Sequence, residues 1–267
     1  MPRPRLPDWE KVLFAAAHLQ RIVPEAVLVG GSASALHAKH RVSLDADHVL
    51  TDLSGRFEDV LAQLESVAGW QTARVQRPVQ ILGKLDGILT GVRQLIRKKP
   101  LETQRMQWHG QSIVLPTTAE MLRIKAILIL RRNATRDYLD FVALDDNLGA
   151  EATAEALRSL DNLYPQPNKE SPLHQLLVQL SDPLPFDLEE TRLEEYRRLV
   201  PRWRDWNIVR AACARCAATL FDRVAAPTRS RSPASRSSRP RSRPGGFRVC
   251  SHPRGAAARP SEAFHCS

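Results

Sequence analysis

Val29-Gly30-Gly31-Ser32, followed a dozen residues later by Asp45-Ala46-Asp47, decides how this chain reads. The run Ala26-Val-Leu-Val29 is short, apolar and β-branched, as a buried strand requires, and it meets two glycines that let the backbone turn sharply and approach a ligand closely. Strand, tight turn and helix start follow in that order. The free N–H groups and positive dipole end of the next helix then make an anion-binding corner. Downstream, Arg41-Val-Ser-Leu-Asp45-Ala-Asp47-His-Val-Leu50 alternates as a second strand. Asp45 and Asp47, at i and i+2, therefore project from one face, about 7 Å apart along the chain. Paired carboxylates of this kind suit Mg²⁺, which prefers carboxylate and phosphate oxygens. A Gly-Gly-Ser turn alone is usually only a turn, and an Asp-x-Asp pair alone is usually a solvated strand end. Their spacing, which leaves room for one short helix, makes the combination informative.

Working outward, Asp8 caps a predicted helix whose apolar positions Val12, Leu13, Ala16, Leu19 and Ile22 recur at helical spacing before Pro24. A short helix is expected over Ser34 to His40 and another over Ser54 to Val67. Residues 70 to 115 read mainly as strands, among them Val79–Leu82, Gly87–Thr90 and Ser112–Leu115. From Thr117 the pattern turns helical. Helices are expected over Thr118–Arg131, Thr135–Asp146, Ala150–Leu163, Leu173–Leu180, Leu188–Leu199 and Asp205–Phe221. The fold class is α+β: a mixed-sheet core over 1–116, a helical region over 117–226 that completes the site, and a tail over 227–267. That tail is rich in Arg, Ser and Pro, with almost no periodic apolar positions, so disorder is expected there.

Charge is divided the same way. Of the net +10, the tail carries +8, from nine Arg against Glu262, and the first 226 residues carry only +2. Apolar runs such as Ala126–Leu130 fall far short of the roughly 20 residues a membrane span needs. The N-terminus lacks an apolar signal core, and its first 212 residues hold no cysteine. A cytoplasmic, reduced protein without membrane contact is expected.

The full string Val29-Gly-Gly-Ser-Ala-Ser-Ala-Leu-His-Ala-Lys-His-Arg-Val-Ser-Leu-Asp-Ala-Asp47 resembles the DNA polymerase β-like nucleotidyltransferase fold. Within it, the string is most similar to the AbiEii-type nucleotidyltransferases of abortive-infection and toxin–antitoxin systems. A second matching block is Glu120-Met-Leu-Arg-Ile-Lys125-Ala126 with Arg131-Arg-Asn-Ala-Thr-Arg136-Asp137-Tyr-Leu-Asp140, so the resemblance spans roughly residues 25 to 145. It implies a Mg²⁺-dependent enzyme that moves a nucleoside monophosphate from an NTP to an acceptor hydroxyl on RNA, especially tRNA, or on a protein. A cognate antitoxin is the implied partner. Gly30, Gly31 and Ser32 would hold the triphosphate, with Arg41 and Ser43 matching the same motif, and Asp45 and Asp47 would bind metal. Lys125 would contact phosphate, and Asp137 would orient Lys125 or accept a proton.

Many polymerase β-like enzymes add a third carboxylate on a later strand. Here the acid between Val79 and Leu95 is Asp86, which Gly83-Lys-Leu-Asp-Gly87 places in a turn. A catalytically silent chain that binds an antitoxin is therefore one alternative, and nonspecific nucleic-acid binding through the Arg-rich tail is another. Arg136 and Asp140, four apart, also fit an exposed helical pair. His37, His40 and His48 flank the acidic motif as capping or packing residues. Cys213, Cys216, Cys250, His252, His265 and Cys266 could be counted as zinc ligands, although the first two fall in an apparent helix. Trp203 and Trp206 read as anchors for the last helix.

Overall fold

The computed structural model describes residues 8–225. The 227–267 tail, with Cys250, His252, His265 and Cys266, lies outside them, as does the expectation of disorder and nucleic-acid binding there. Helix α1 (Asp8–Ile22) leads into β1 (Val27–Leu28), α2 (Gly30–Ala38) and β2 (Asp45–Leu50). A 3₁₀ turn at Leu53–Gly55 and helix α3 (Phe57–Glu65) precede three strands, β3 (Trp70–Gln76), β4 (Gln80–Leu85) and β5 (Ile88–Gln94). The hairpin β6 (Thr103–Trp108) and β7 (Gln111–Pro116) follows. The remaining elements are α4 (Thr118–Arg132), α5 (Thr135–Leu148), α6 (Ala150–Arg158), α7 (Leu160–Leu163), α8 (Pro172–Ser181) and α9 (Trp206–Ala225).

One five-stranded sheet runs in the order β1-β2-β5-β4-β3. Only β2 and β5 pair in parallel, so the sheet is mixed. Its two faces differ because side chains alternate along each strand. Ala46, His48 and Leu50 of β2, Ile81 and Leu85 of β4, and Val92 of β5 point into the core. Asp45, Asp47, Leu89 and Arg93 point the other way, into a cleft. The core has two parts. α3 and the end of α1 close over β4 and β5, while α4, α5, α6, α8 and α9 build the larger part around Tyr138, Phe141 and Trp203.

Local chemistry fixes where the site-bearing helices begin and end. Thr117 caps α4, its Oγ1 accepting from the Glu120 N–H at 3.2 Å, and Asn133, in the left-handed region at φ 45°, ends it. Thr135 then opens α5 with its N–H and hydroxyl both donating to Asp187 at 2.7 Å.

Several expected boundaries move for identifiable reasons. The helix over Leu188–Leu199 is absent. That segment forms turns and a 3₁₀ helix at Leu193–Glu195, because its backbone pairs instead with residues 40–42. Val42 N–H donates to Arg197 C=O, Val200 N–H donates to His40 C=O, both at 2.8 Å, and Arg198 is left-handed at φ 55°. The same pairing keeps Arg41–Leu44 out of β2. The helix after the glycines begins at Gly30 rather than Ser34 and stops before His40 because Lys39 is left-handed. The helix over Ala150–Leu163 breaks at Ser159.

Candidate active site

The cleft over the polar face of the sheet encloses about 890 Å³ between β2, β5, α4 and the 195–197 segment. Val29 is extended, and Gly30 turns the chain with φ +73°. A Cβ at Gly30 would sit 3.4 Å from Asp47 Oδ2, so the first turn of α2 lies directly against the acidic strand. Gly31 is tighter still, since a Cβ there would meet Arg41 Nη2 at 2.6 Å and Ser43 Oγ at 2.7 Å. Both glycines, Arg41, Ser43, Asp45, Asp47 and Lys125 line the same cleft. Ser32 and Asp137 do not. Ser32 is fully buried, its hydroxyl donating to the Asp45 C=O at 2.5 Å, so it ties α2 to β2.

Asp45 and Asp47 share the cleft face of β2 as their i, i+2 spacing requires. The Ser43 hydroxyl donates to Asp45 Oδ1 and sets that carboxylate's orientation. Burial, then the charge of Asp45, hold the Asp47 carboxyl above its ordinary range, while Arg93, Arg136 and Lys125 pull the other way. Two hard oxygen donors that repel each other and open into a cleft fit a divalent cation completed by phosphate oxygens and water. Among the described residues no group of three or more His, Cys, Asp or Glu is placed to hold a metal unaided.

The second block folds beneath this pair as a buried charge cluster. Asp140 has no exposed surface and takes Arg41 in two bonds, Nε to Oδ1 at 2.7 Å and Nη2 to Oδ2 at 3.0 Å. His40 Nε2 donates to Oδ1 at 2.7 Å, and Lys125 Nζ lies 2.6 Å from Oδ2. Lys125 also donates to Asp137 at 3.1 Å, and Arg132 grips the same carboxylate from its half-exposed position. The expected exposed Arg136–Asp140 pair is thus replaced by a buried one. Asp140 points inward to the α2–β2 loop, and Arg136 faces the cleft. Burial raises the Asp140 carboxyl, but Arg41, Lys125 and His40 outweigh it and hold it well below the carboxylate range. Asp137 reaches the cleft only through Lys125 and Arg132. Its geometry is that of a group that positions cations.

The remaining candidates sit elsewhere. His37 bonds the Pro116 carbonyl at 2.8 Å and Thr118 at 3.0 Å. His48 lies in the core, where burial pushes its imidazole down to about 4. Asp86 occupies the β4–β5 turn at φ 52°, accepting from His18 at 2.8 Å. Cys213 and Cys216 are buried free thiols on α9, with Cys213 pushed up to about 12 by burial. Trp203 is buried beside α9, and Trp206 packs edge-on to Tyr138. Sequence reasoning did not single out Arg74 and Arg93, which both line the cleft; their registers relative to Asp47 depend on strand order.

Over 81% of this chain and 95% of the other, the structure superposes on an H. pylori protein assigned as a nucleotidyltransferase, with TM-score 0.50 at 13% identity. The fold is that of the nucleotidyltransferases. JHP933 from Helicobacter pylori aligns over 81% of this chain and 92% of its own, with TM-score 0.48 at 12% identity. No family model matches the chain. By sequence, 129 residues, 47% of the chain, are 33% identical to the mycolic acid-containing lipids exporter MmpL11 of Mycolicibacterium smegmatis, covering 13% of that protein. The heme uptake protein MmpL11 of Mycobacterium tuberculosis is 35% identical over 113 residues, 38% of this chain and 12% of its own. The chain thus spans about an eighth of these curated relatives. Among the described residues no helix is long and apolar enough to cross a membrane.

The buried cluster yields a stability test. Asp140→Asn leaves Arg41 and Lys125 under-compensated and should cost about 3–5 kcal/mol at neutral pH. Because the folded carboxyl titrates below the unfolded one, its contribution is complete above about pH 4 and fades as pH falls below that. Urea melts of both proteins from pH 7 to pH 2.5 should show a gap that narrows only in acid.

Proposed function

We propose that this chain is a Mg²⁺-dependent nucleotidyltransferase that moves a nucleoside monophosphate from an NTP to an acceptor hydroxyl. The observation that carries this reading is the Asp45–Asp47 pair facing the cleft directly against the Gly30–Gly31 turn, with Lys125 lining the same cleft. Mg²⁺ held by Asp45 and Asp47 would neutralise charge developing on the phosphates. The amides at the start of α2 and the cations at the α4–α5 corner take the triphosphate. Arg41, Lys125 and Arg132 balance Asp137 and Asp140 with one positive charge to spare, which favours an anion above them. The acceptor oxygen bonds to the α-phosphorus as its bond to the pyrophosphate oxygen breaks. Pyrophosphate leaves with the electron pair, and the hydroxyl proton passes to water. Lys125 contacts phosphate, and Asp137 keeps it charged and in place.

The resemblance to AbiEii-type proteins supports a cytoplasmic, toxin-like role, an acceptor on RNA, tRNA included, or on a protein side chain, and control by a cognate antitoxin. The helical residues 117–226 complete a site begun in 1–116. A silent antitoxin-binding chain is the competing reading. It is favoured by one feature: the cleft face of β5 carries Leu89, Gly91 and Arg93 and no carboxylate.

Purified protein incubated with each α-labelled NTP, Mg²⁺ and total RNA or protein should transfer label. Asp45→Asn and Asp47→Asn should each lower transfer about 100-fold or more, the scale on which loss of one preorganised charge acts. Melting temperature in metal-free buffer should hold or rise, since the substitution removes repulsion. Full transfer in both variants, or none in the parent with any NTP, contradicts the reading.

Arg136 is exposed at the cleft and acts on Asp47 without supporting the core. Arg136→Ala should therefore weaken NTP binding about tenfold, as loss of a charge-assisted hydrogen bond of about 1.5–3 kcal/mol implies. Calorimetric titration and a melt of the same sample check both halves of that expectation.

A further inference from the structure

Strand register extends the site across the sheet. Asp47 pairs with Gly91, Gly91 with Leu82, and Leu82 with Arg74, so β2, β5, β4 and β3 contribute one continuous row. Cross-strand partners share a face, so Arg74 stands on the face that carries Asp47. Three inter-strand steps separate their backbones by roughly 14 Å. Between them the row is apolar and low. Gly91 has no side chain, and any Cβ there would collide with Ile81 C=O at 2.4 Å; Leu82 is half-buried. Arg93 flanks this trough from the neighbouring row, where it pairs with Val49 on one side and Gln80 on the other. It is about half exposed, with Nη2 3.8 Å from Asp47 Oδ1.

Eight cationic side chains line the cleft against three acidic ones. Arg41, Lys125 and Arg132 are already engaged by Asp137 and Asp140, and Arg197 by Asp8. Arg131 and Arg136 stand with Lys125 at the α4–α5 corner. Arg74 and Arg93 stand on the sheet side, beyond the acidic pair, and the cluster around Asp137 and Asp140 uses neither.

We infer that Arg74 and Arg93 form an acceptor subsite that selects a phosphate-bearing acceptor, its attacking hydroxyl at Asp47 and its phosphate between the two arginines. This rests on the nucleotidyl-transfer reading and specifies its acceptor chemistry. The apolar floor of Gly91 and Leu82 would face the part of the acceptor that joins hydroxyl to phosphate. A cationic acceptor would meet like charge at both arginines, and an uncharged one would offer them no counter-charge beyond the contact of Arg93 with Asp47. A free nucleotide and the end of an RNA strand present the same chemistry, and the test separates them.

The full chain is saturated with Mg²⁺ and an α,β-methylene NTP, which fills the triphosphate corner, and acceptor probes are titrated by calorimetry. One pair is a nucleoside 5′-monophosphate against its nucleoside. The other is a ribotrinucleotide against its neutral methylphosphonate analogue. The phosphate-bearing member of at least one pair should bind at least about tenfold tighter, and the pair that discriminates identifies the source. Arg74→Ala and Arg93→Ala should each erase most of that difference, and Arg74→Ala, which touches neither Asp45 nor Asp47, should keep affinity for the NTP analogue within about twofold of the parent. Equal binding within both pairs overturns the subsite. So does discrimination that survives the Arg74 and Arg93 variants, or that disappears only in Arg136→Ala. Failure of the parent to bind the NTP analogue overturns the transferase reading itself, and the subsite with it.

Discussion

A carboxylate with no exposed surface, Asp140 on α5, holds the cleft together. It fixes His40 and Arg41 of the α2–β2 loop and Lys125 of α4, three groups that approach from two other parts of the chain. A lone buried carboxylate would be strongly disfavoured, and two buried cations without it equally so. Each therefore requires the other, and the geometry that satisfies them leaves little freedom. Arg41 in turn lies against Gly31, where no side chain would fit, and Tyr196 from the 188–200 segment sits over its guanidinium with the ring centroid 5.8 Å away. The glycine turn, the acidic strand and the helical half are thus referenced to one buried point.

The sheet supplies the second constraint. A strand with Ala46, His48 and Leu50 in the core must present Asp45 and Asp47 on its other face, and parallel pairing with β5 sets which residues stand beside them. Leu89 lies opposite Asp45 and Gly91 opposite Asp47. With no carboxylate on the cleft face of that neighbouring strand, the charge β5 brings to Asp47 is that of Arg93. Arg93, Arg136 and Lys125 all act on Asp47 from the cleft, an arrangement suited to anionic substrates around the proposed metal position.

What could be read from the sequence follows from how local each signal is. The Asp45–Asp47 alternation was legible as a strand and the Lys125 and Asp137 blocks as helices, while the glycines, read as a turn ahead of a helix at Ser34, form the first turn of α2. Strands β3 and β6 carried no such pattern, because both expose most of their side chains and so need no apolar alternation. The segment 188–199 looked helical from its leucines, yet its backbone partners lie some 150 residues earlier at 40–42, and spacing cannot report such a contact. Asp140 was misread for the same reason: an i, i+4 neighbour was visible, while Arg41, 99 residues away, was not. The row from Asp47 to Arg74 depends on strand order, which no local motif encodes.

The most direct test of the account is a crystal structure of the full chain with an α,β-methylene NTP and Mn²⁺, recorded at a wavelength where manganese scatters anomalously. The account predicts an anomalous peak within coordination distance of both Asp45 and Asp47, with the triphosphate running from the Gly30–Gly31 turn toward Lys125. Manganese bound elsewhere, or a nucleotide seated away from β2, would contradict it.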